Sequence, residues 1–434
     1  MPSPRGLIVA APASGQGKTT VTLGLLRAFA DRGRPIAAAK AGPDYIDPQY
    51  HRAAGGSDCV NLDPWAMRPA LVAKLAAAAA ADAELLLIEG VMGLFDGAAE
   101  GGGSTADLAS MLGLPVVLVV DGRGQGQSAA ALVAGFAGHR EGCTIAGVVF
   151  NRVGSARHAE LLSTAVVETG VPVLGAVPAA EDLYLPSRHL GLIQAGERAD
   201  LPEFIGRAAA AVAAHVDLDA LAALARPLTT GAVVADASDL APLGQRIAVA
   251  DDAAFSFTYP HLLDGWRRGG AEMASFSPLA DEAPDADADA VFLPGGYPEL
   301  QAGRLAANRG FLDGLHQATD RGATIYGECG GYMVLGRGLI DADGTRHAMA
   351  GLLPLETSFA DRKLHLGYRE AKAAADAPWP GTLRGHEFHY ATVVEEGPAD
   401  PLFSVRRSGA NEFAPSGLRV GAVMGSFVHI VDRV

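Results

Sequence analysis

Ala323-Thr-Ile-Tyr-Gly-Glu-Cys329-Gly-Gly-Tyr-Met-Val-Leu335 reads as a short strand that turns sharply at Cys329 and runs straight into an apolar helix. β-Branched residues favour the extended start, whereas glycines at 327, 330 and 331 are poor strand or helix material unless a tight turn is wanted. An elbow of this kind sets its thiol at a helix N-terminus, where the dipole and free N–H groups favour the thiolate. Cys329 is therefore the candidate nucleophile. A lone cysteine is more often a small buried hydrophobe, and Cys59 and Cys143, which have no such setting, read that way.

Working outward, apolar strand-like runs alternate with helical patterns at Leu7–Ala11, Ile36–Lys40, Leu85–Glu89, Val116–Asp121, Ile145–Asn151 and Val173–Pro178. A second series opens with Ile247–Asp251 and continues through Ala290–Pro294 to the Cys329 elbow. The alternation predicts an α/β protein with two doubly wound domains. Between about 217 and 245 the chain turns Ala-, Pro-, Thr- and Asp-rich without a sustained period, which predicts domains at 1–225 and 246–434 joined by a linker at 226–245.

Of 434 residues, 49% are hydrophobic and 19% charged, as in globular chains. The formal net charge of −15 argues against non-specific nucleic-acid binding and requires that any anionic substrate be held by local cations and backbone N–H groups. Three cysteines, one of them in a redox-active setting, point to the cytoplasm. Neither the alanine-rich runs nor the apolar N-terminal run makes an 18-residue uncharged span, so no membrane segment is expected.

Ala11-Pro-Ala-Ser-Gly15-Gln16-Gly17-Lys18-Thr19-Thr20 lies between the first strand and an apolar helix and looks like a phosphate-binding loop. Its glycines let backbone N–H groups converge on phosphates, Lys18 reaches the terminal phosphates, and Thr19 can ligate Mg²⁺. Pro12 stands where the first glycine of the standard pattern would be, and Ala13 where partition ATPases carry an extra lysine. After the second strand, Lys40-Ala-Gly-Pro-Asp44-Tyr45-Ile-Asp47-Pro can present its carboxylates to Mg²⁺ or to a substrate; a plain turn is the alternative. Glu89 ends a Walker-B-like strand and is a second candidate metal contact. Asn151 ends another strand where such domains read the base and could donate and accept toward adenine; a structural turn residue is the alternative. Thr19, Asp47 and Glu89 thus form the expected metal set, with Lys40 the expected cation for an acyl phosphate.

In the second half, backbone N–H groups of Gly295-Gly296 could complete an oxyanion hole with Gly330. Among twelve histidines, His429 in Gly425-Ser-Phe-Val-His is the candidate base. His386 and His389 have a spacing reminiscent of metal ligands, with a structural or substrate-contacting role as the alternative.

The chain resembles the cobyrinic or hydrogenobyrinic acid a,c-diamide synthases of cobalamin biosynthesis. Gly42-Pro-Asp-Tyr-Ile-Asp-Pro48, Glu89-Gly-Val-Met-Gly-Leu-Phe-Asp-Gly97, Arg188-His-Leu-Gly-Leu192, Asp252-Ala-Ala-Phe-Ser-Phe-Thr-Tyr-Pro260, Gly295-Gly-Tyr-Pro-Glu-Leu300 and Gly385-His-Glu-Phe-His-Tyr390 are similar to that family's signatures, in the same order. The resemblance implies a dethiobiotin-synthetase-like P-loop ATP domain fused to a class I glutamine amidotransferase-like domain with Cys329 and His429 as nucleophile and base. It also implies amidation of the corrin a and c carboxylates, with ATP·Mg²⁺ and glutamine as co-substrates and Asp44, Tyr45 and Asp47 near the corrin acid. A homodimer is one assembly this reading allows. Class I glutaminases usually carry a glutamate two residues after the catalytic histidine, but here that residue is Val431. The resembled family shares the lack, so a Cys–His dyad oriented by Asp432 or a backbone carbonyl is expected. The same chemistry on another tetrapyrrole acid, such as nickel-sirohydrochlorin, and a nucleotide-switch protein related to partition ATPases are the competing readings.

Overall fold

In the computed structural model, which describes residues 4–185, 187–188, 191–229, 238–375 and 377–434, the chain divides into two units, Met1–Ala237 and Ser238–Val434. The first unit is built on seven parallel strands: β1 (Arg5–Ala10), β2 (Ile36–Ala41), β3 (Cys59–Leu62), β4 (Leu85–Glu89), β5 (Val116–Asp121), β6 (Ile145–Val153) and β7 (Val173–Pro178). Their spatial order is β3-β2-β4-β1-β5-β6-β7. Runs such as Val116–Val120 are buried throughout because helices cover both faces of a parallel sheet. The four-residue β3 carries Asn61 among its apolar residues, too short and mixed a run to stand out in the sequence. At β1 the order reverses between β4 and β5, and ligands bind at such a switch point beyond the strand C-termini.

Around the expected linker, the described residues on either side of 230–237 are tied into the two units. Asp217 accepts a hydrogen bond from Ala220 N–H and caps a helix over Leu218–Leu224. Arg226 and Pro227 then pair antiparallel with β1, and Leu228 and Thr229 donate to the carbonyls of Pro4 and Leu112. At the other end Trp379 Nε1 donates to Ala241 O, which ties that stretch into the second unit. Residues 230–237 lie outside the described set.

The second unit begins as a parallel sheet, Glu272–Phe276, Arg246–Ala250, Ala290–Leu293, Thr324–Glu328 and Val423–Ser426 in spatial order. The same sheet continues antiparallel through Ala414–Val420, Asp400–Arg407, His365–Ala373 and Gly381–His389 to His429–Arg433. A four-stranded sheet that includes Leu355–Ser358 stands apart. Phe255, Phe311, Leu315, Ile325 and Val334 lie in the core under the elbow. Among the described residues no helix is long and apolar enough to cross a membrane.

Candidate functional site

In the first unit the phosphate-type loop leads into α1 (Lys18–Asp31), whose start at Gly17 has φ 86° and no side-chain cap. A Cβ on Gly17 would fall 2.1 Å from Asn151 Nδ2, so both conformation and contact demand glycine there. The loop is pinned from β5 and β6. Asn151 Nδ2 donates to Gln16 O (3.0 Å), Asp121 N–H to Gln16 Oε1 (2.8 Å), and Arg152 Nη1 to Gly15 O (2.6 Å). Asn151 therefore braces the loop through one of its amide N–H groups, which goes to Gln16 O. Thr20 Oγ1 contacts Leu183 O at 3.4 Å.

Beyond the loop lies a buried charge network. Thr19 Oγ1 donates to Glu89 Oε1 (2.7 Å), and Lys40 Nζ bridges Glu89 Oε1 (3.0 Å) and Asp47 Oδ2 (2.6 Å). His51 Nε2 meets Glu89 Oε2 at 2.6 Å, and its Nδ1 faces Cys59 Sγ at 3.5 Å. Burial opposes charge on Glu89, but Lys40 and His51 outweigh it and hold the carboxyl well below its usual range. Burial also works against charge on Lys40 and His51, and is again outweighed: Asp47 and Glu89 raise Lys40, while Cys59 and Glu89 bring His51 up to about 10. Burial, seconded by Asp44, pushes Asp47 up to about 6. Lys18 donates to Met92 O at 2.5 Å and is brought down to about 8 by burial and the nearby Lys40.

The structure gives two of the expected residues definite partners and adds a third residue to the group. Lys40 is 3% exposed and its ammonium is bound by two carboxylates and Gly90 O, so it neutralises the acids instead of standing open to an acyl phosphate. Asp44 Oδ1 accepts from the N–H groups of Ile46 and Asp47, which makes it a turn and helix-start residue ahead of α2 (Asp47–Gly55). His51, absent from the sequence reading, belongs to the network. Its signal was the i,i+4 spacing from Asp47 on one face of α2. Tyr45 is buried beside this turn. Thr19, Glu89 and Asp47 offer hard oxygens of the kind Mg²⁺ takes, and in this structure both Glu89 oxygens and Asp47 Oδ2 are shared with Thr19, Lys40 and His51.

In the second unit Cys329 has φ 48° and ψ −101°, a strained conformation of the kind concentrated at active sites. Its N–H donates to Ser426 O (2.8 Å) and that of Gly331 to Pro294 O (3.1 Å), fixing the turn. Gly330 N–H is directed at the Cys329 sulfur. A Cβ on Gly330 would fall 3.0 Å from Gly296 N, which brings the Gly330 backbone against that nitrogen. Gly295 marks the meeting point of nucleophile and base. A Cβ there would lie 2.4 Å from His429 Cε1 and 3.4 Å from Cys329 Cβ.

Burial, followed by the charges of Glu299 and Glu387, pushes the Cys329 thiol well above its usual range. The helix start does not by itself yield the thiolate expected from the sequence, so a base must take the proton. Burial, then His389, brings His429 down to about 3, and it rests as neutral imidazole. Burial likewise brings Glu299 up to about 7.

His386 and His389 do not share a ligand set, because odd spacing on a strand sends them to opposite faces. His386 packs at a tilt against His429, ring centroids 5.2 Å apart. His389 groups with Glu387 and, across the strand pair, His365, with ligand atoms within 4.8 Å of one another. Both Glu387 oxygens are already engaged, Oε1 by His389 Nε2 (2.8 Å) and Oε2 by Arg369 Nε (2.6 Å). The arrangement is a closed ion-pair network. His189 lies outside the described residues, as does the side chain of Arg188.

A P-loop unit with a convergent oxygen set and a second unit with a strained cysteine elbow define a two-domain, nucleotide-dependent glutamine amidotransferase. Residues 7–193 match the CobQ/CobB/MinD/ParA nucleotide binding domain and residues 246–432 the CobB/CobQ-like glutamine amidotransferase domain. Proteins named hydrogenobyrinate a,c-diamide synthase from Brucella anthropi, Sinorhizobium and Rhodobacter capsulatus are 57%, 56% and 52% identical to this chain. The matches cover 98–99% of this chain and of each relative. The chain belongs to the hydrogenobyrinate a,c-diamide synthase family, and it is an enzyme of the ATP-dependent, glutamine-hydrolysing amidating class.

Proposed function

We propose that this enzyme converts the a and c carboxylates of hydrogenobyrinic acid to amides, with glutamine as nitrogen donor and ATP as activator. The observation that carries the reading is the strained Cys329 elbow with His429 against the same glycine, in a chain whose other unit pairs Thr19 with Glu89 beyond a P-loop. The corrin acid is taken from the relatives' names. In this reading residues 1–225 form the synthetase and 246–434 the glutaminase.

At the glutaminase, His429 Nε2 takes the Cys329 proton and Sγ attacks the glutamine amide carbon. The oxyanion faces the N–H groups of Gly296 and Gly330. The tetrahedral adduct collapses with loss of ammonia, which carries away the proton held on His429, and water then hydrolyses the thioester to glutamate. At the synthetase, a carboxylate oxygen attacks the γ-phosphorus of ATP and ADP departs. Ammonia attacks the acyl phosphate carbon, and the C–O bond to phosphate breaks. Activation is needed because an unactivated carboxylate is a poor electrophile. Mg²⁺, held by Thr19 and Glu89 with Asp47 nearby, would supply charge neutralisation at the phosphates. Lys18 binds the terminal phosphates, and Lys40 and His51 keep Glu89 ionised and oriented.

The test is glutamate release from glutamine by purified enzyme, with and without ATP, on hydrogenobyrinic and cobyrinic acids side by side. Release that depends on ATP and is coupled to amidation of hydrogenobyrinic acid is expected. Amidation of cobyrinic acid alone would replace the substrate, and ATP-independent release without amidation of either acid would overturn the reading.

A further inference from the structure

We propose that Glu328, the residue immediately before the nucleophile, is the positioning carboxylate of the glutaminase, accepting the Nδ1 proton of His429 from the neighbouring strand. The inference rests on the Cys329–His429 reading above. Class I glutaminases take this carboxylate from the base's own strand, where this chain has Val431, a buried apolar residue. Asp432 lies beyond a register shift in the pairing of this strand with Gly381–His389. There its charge acts on His261.

Glu328 fills the gap. Its strand, Thr324–Glu328, runs parallel to Val423–Ser426 with Glu328 in register with Ser426, and the chain reaches His429 three residues later. Ile430 N–H, from the residue after the base, donates to Glu328 Oε1 (3.1 Å), and so does Tyr326 O–H (3.1 Å). These two bonds moor the carboxyl to the histidine's own backbone and leave Oε2 facing His429 Nδ1 at 3.6 Å. That is a contact of facing groups, longer than a hydrogen bond, of the kind that tightens when substrate binds. Both side chains are buried, 2% and 1% exposed, so bulk water cannot take over the role. An imidazole whose Nδ1–H is held by Glu328 presents the Nε2 lone pair to Cys329, and the imidazolium formed on proton transfer then has a counter-charge.

The other titratable groups around the pair have separate positions. His386, Glu387 and His389 come from the strand Gly381–His389, with Glu387 engaged by Arg369 and His389, while Glu299 acts on Cys329 from the turn Pro298–Gln301. Burial brings Glu328 up to about 8, so ionisation of the positioning group gives the glutaminase rate an ascending limb above neutral pH.

The experiment compares full-length Glu328→Gln, Glu328→Ala and Glu328→Asp with the parent. It reads the pH profile of glutamine-dependent glutamate release, kcat and KM separately, with backbone hydrogen exchange across the strands of the second unit as the control for folding and ammonia-dependent corrin amidation as the control for the first unit. Glu328→Ala is expected to lose about 10²-fold in kcat with little change in KM for glutamine. Glu328→Gln, nearly isosteric and able to keep the Ile430 and Tyr326 bonds, should flatten the ascending limb, and Glu328→Asp should restore part of the rate. Parental kcat and pH profile in Glu328→Gln would overturn the inference even if Glu328→Ala fails to fold. Cys329→Ser separates the two failures. If it is inactive with glutamine while the Glu328 variants are parental, only the positioning role falls; if it still hydrolyses glutamine, the Cys329 glutaminase reading falls as well.

Discussion

Glu89 and Glu328 occupy matching places in the two units. Each is the last residue of a parallel strand, is fully buried, and adjoins a candidate catalytic loop. Yet Glu89 is held below the usual carboxylate range, while Glu328 is pushed up to about 8. Burial has the same sign for both, so neighbours decide. Glu89 has the Lys40 ammonium and the His51 ring within 3.0 Å, whereas Glu328 receives only a backbone N–H and a phenol. Charged partners repay desolvation and two neutral donors do not. The first unit keeps a standing array of charges suited to a polyanionic phosphate. The second keeps a neutral thiol, imidazole and carboxyl, and charge develops only when a proton moves. One site is electrostatically preloaded and the other is switched on by chemistry.

The largest expected effect separates these two modes. Lys18→Ala removes the cation that reaches the phosphates and should lower amidation about 10²-fold to 10³-fold with either glutamine or ammonium salts. Cys329→Ser should abolish glutamine-dependent amidation and leave ammonium-dependent synthesis near the parent's. A Cys329→Ser protein that folds but has lost ammonium-dependent turnover would show that the sites do not work separately. Near-normal synthesis by Lys18→Ala would remove the phosphate-binding role of the loop.

The parallel strands and the elbow were legible in the sequence because their signals are local. An uninterrupted apolar run, a Gly-rich loop or a cysteine flanked by glycines carries its meaning within ten residues. His51 was missed because its role depends on a strand 38 residues away in sequence, and Glu328 because its partner lies on a strand about a hundred residues later. The same non-locality hid the partners of Lys40, whose ammonium binds Asp47 and Glu89, and of Asn151, which braces Gln16. Lys40 still belongs to the cluster the sequence indicated, but its partners there could be counted only in three dimensions. The antiparallel half of the second sheet, which delivers His386 beside His429, has no local signal that assigns its register.

An intermediate effect sharpens the preloaded half of the comparison. Glu89→Gln loses a ligand charge for Mg²⁺ and leaves Lys40 and His51 short of a counter-ion, so ammonium-dependent amidation should fall and need more Mg²⁺. Glutamine hydrolysis at Cys329 should keep its chemistry. Asp47→Asn should give a smaller shift, because Lys40 retains Glu89. A Mg²⁺ titration of ammonium-dependent corrin amidation reads both. Unchanged Mg²⁺ dependence with weaker binding of the corrin acid would move Asp47 from the metal shell to the substrate pocket.

The smallest effect concerns stability, and here the two glutamates should respond to pH with opposite sign. Glu89 has a depressed value in the folded chain, so its pairing stabilises above the ordinary carboxylate value of 4.5 and is lost as pH falls through the folded value. Glu328 has a raised value, so the cost of burying it is absent below 4.5 and grows as pH rises to about 8, approaching about 1.4 kcal/mol per pH unit between those limits. Each effect is read by comparing the parent with its own Gln variant, since Gln does not titrate; His51, whose own value Glu89 raises, adds to the Glu89 comparison a loss of stability above the ordinary histidine value of 6.5. Because two units need not unfold together, backbone hydrogen exchange in β4 and in Thr324–Glu328 is the suitable measurement. Between pH 5 and 8 protection of Thr324–Glu328 in the parent should decline relative to Glu328→Gln. Protection of β4 relative to Glu89→Gln should hold between about pH 5 and 6.5, weakening below that window as Glu89 is protonated and above it as the pairing with His51 loses its advantage. If both comparisons are flat between pH 5 and 6.5, Glu328 is already ionised at neutral pH, and the two strand-end carboxylates are managed alike after all.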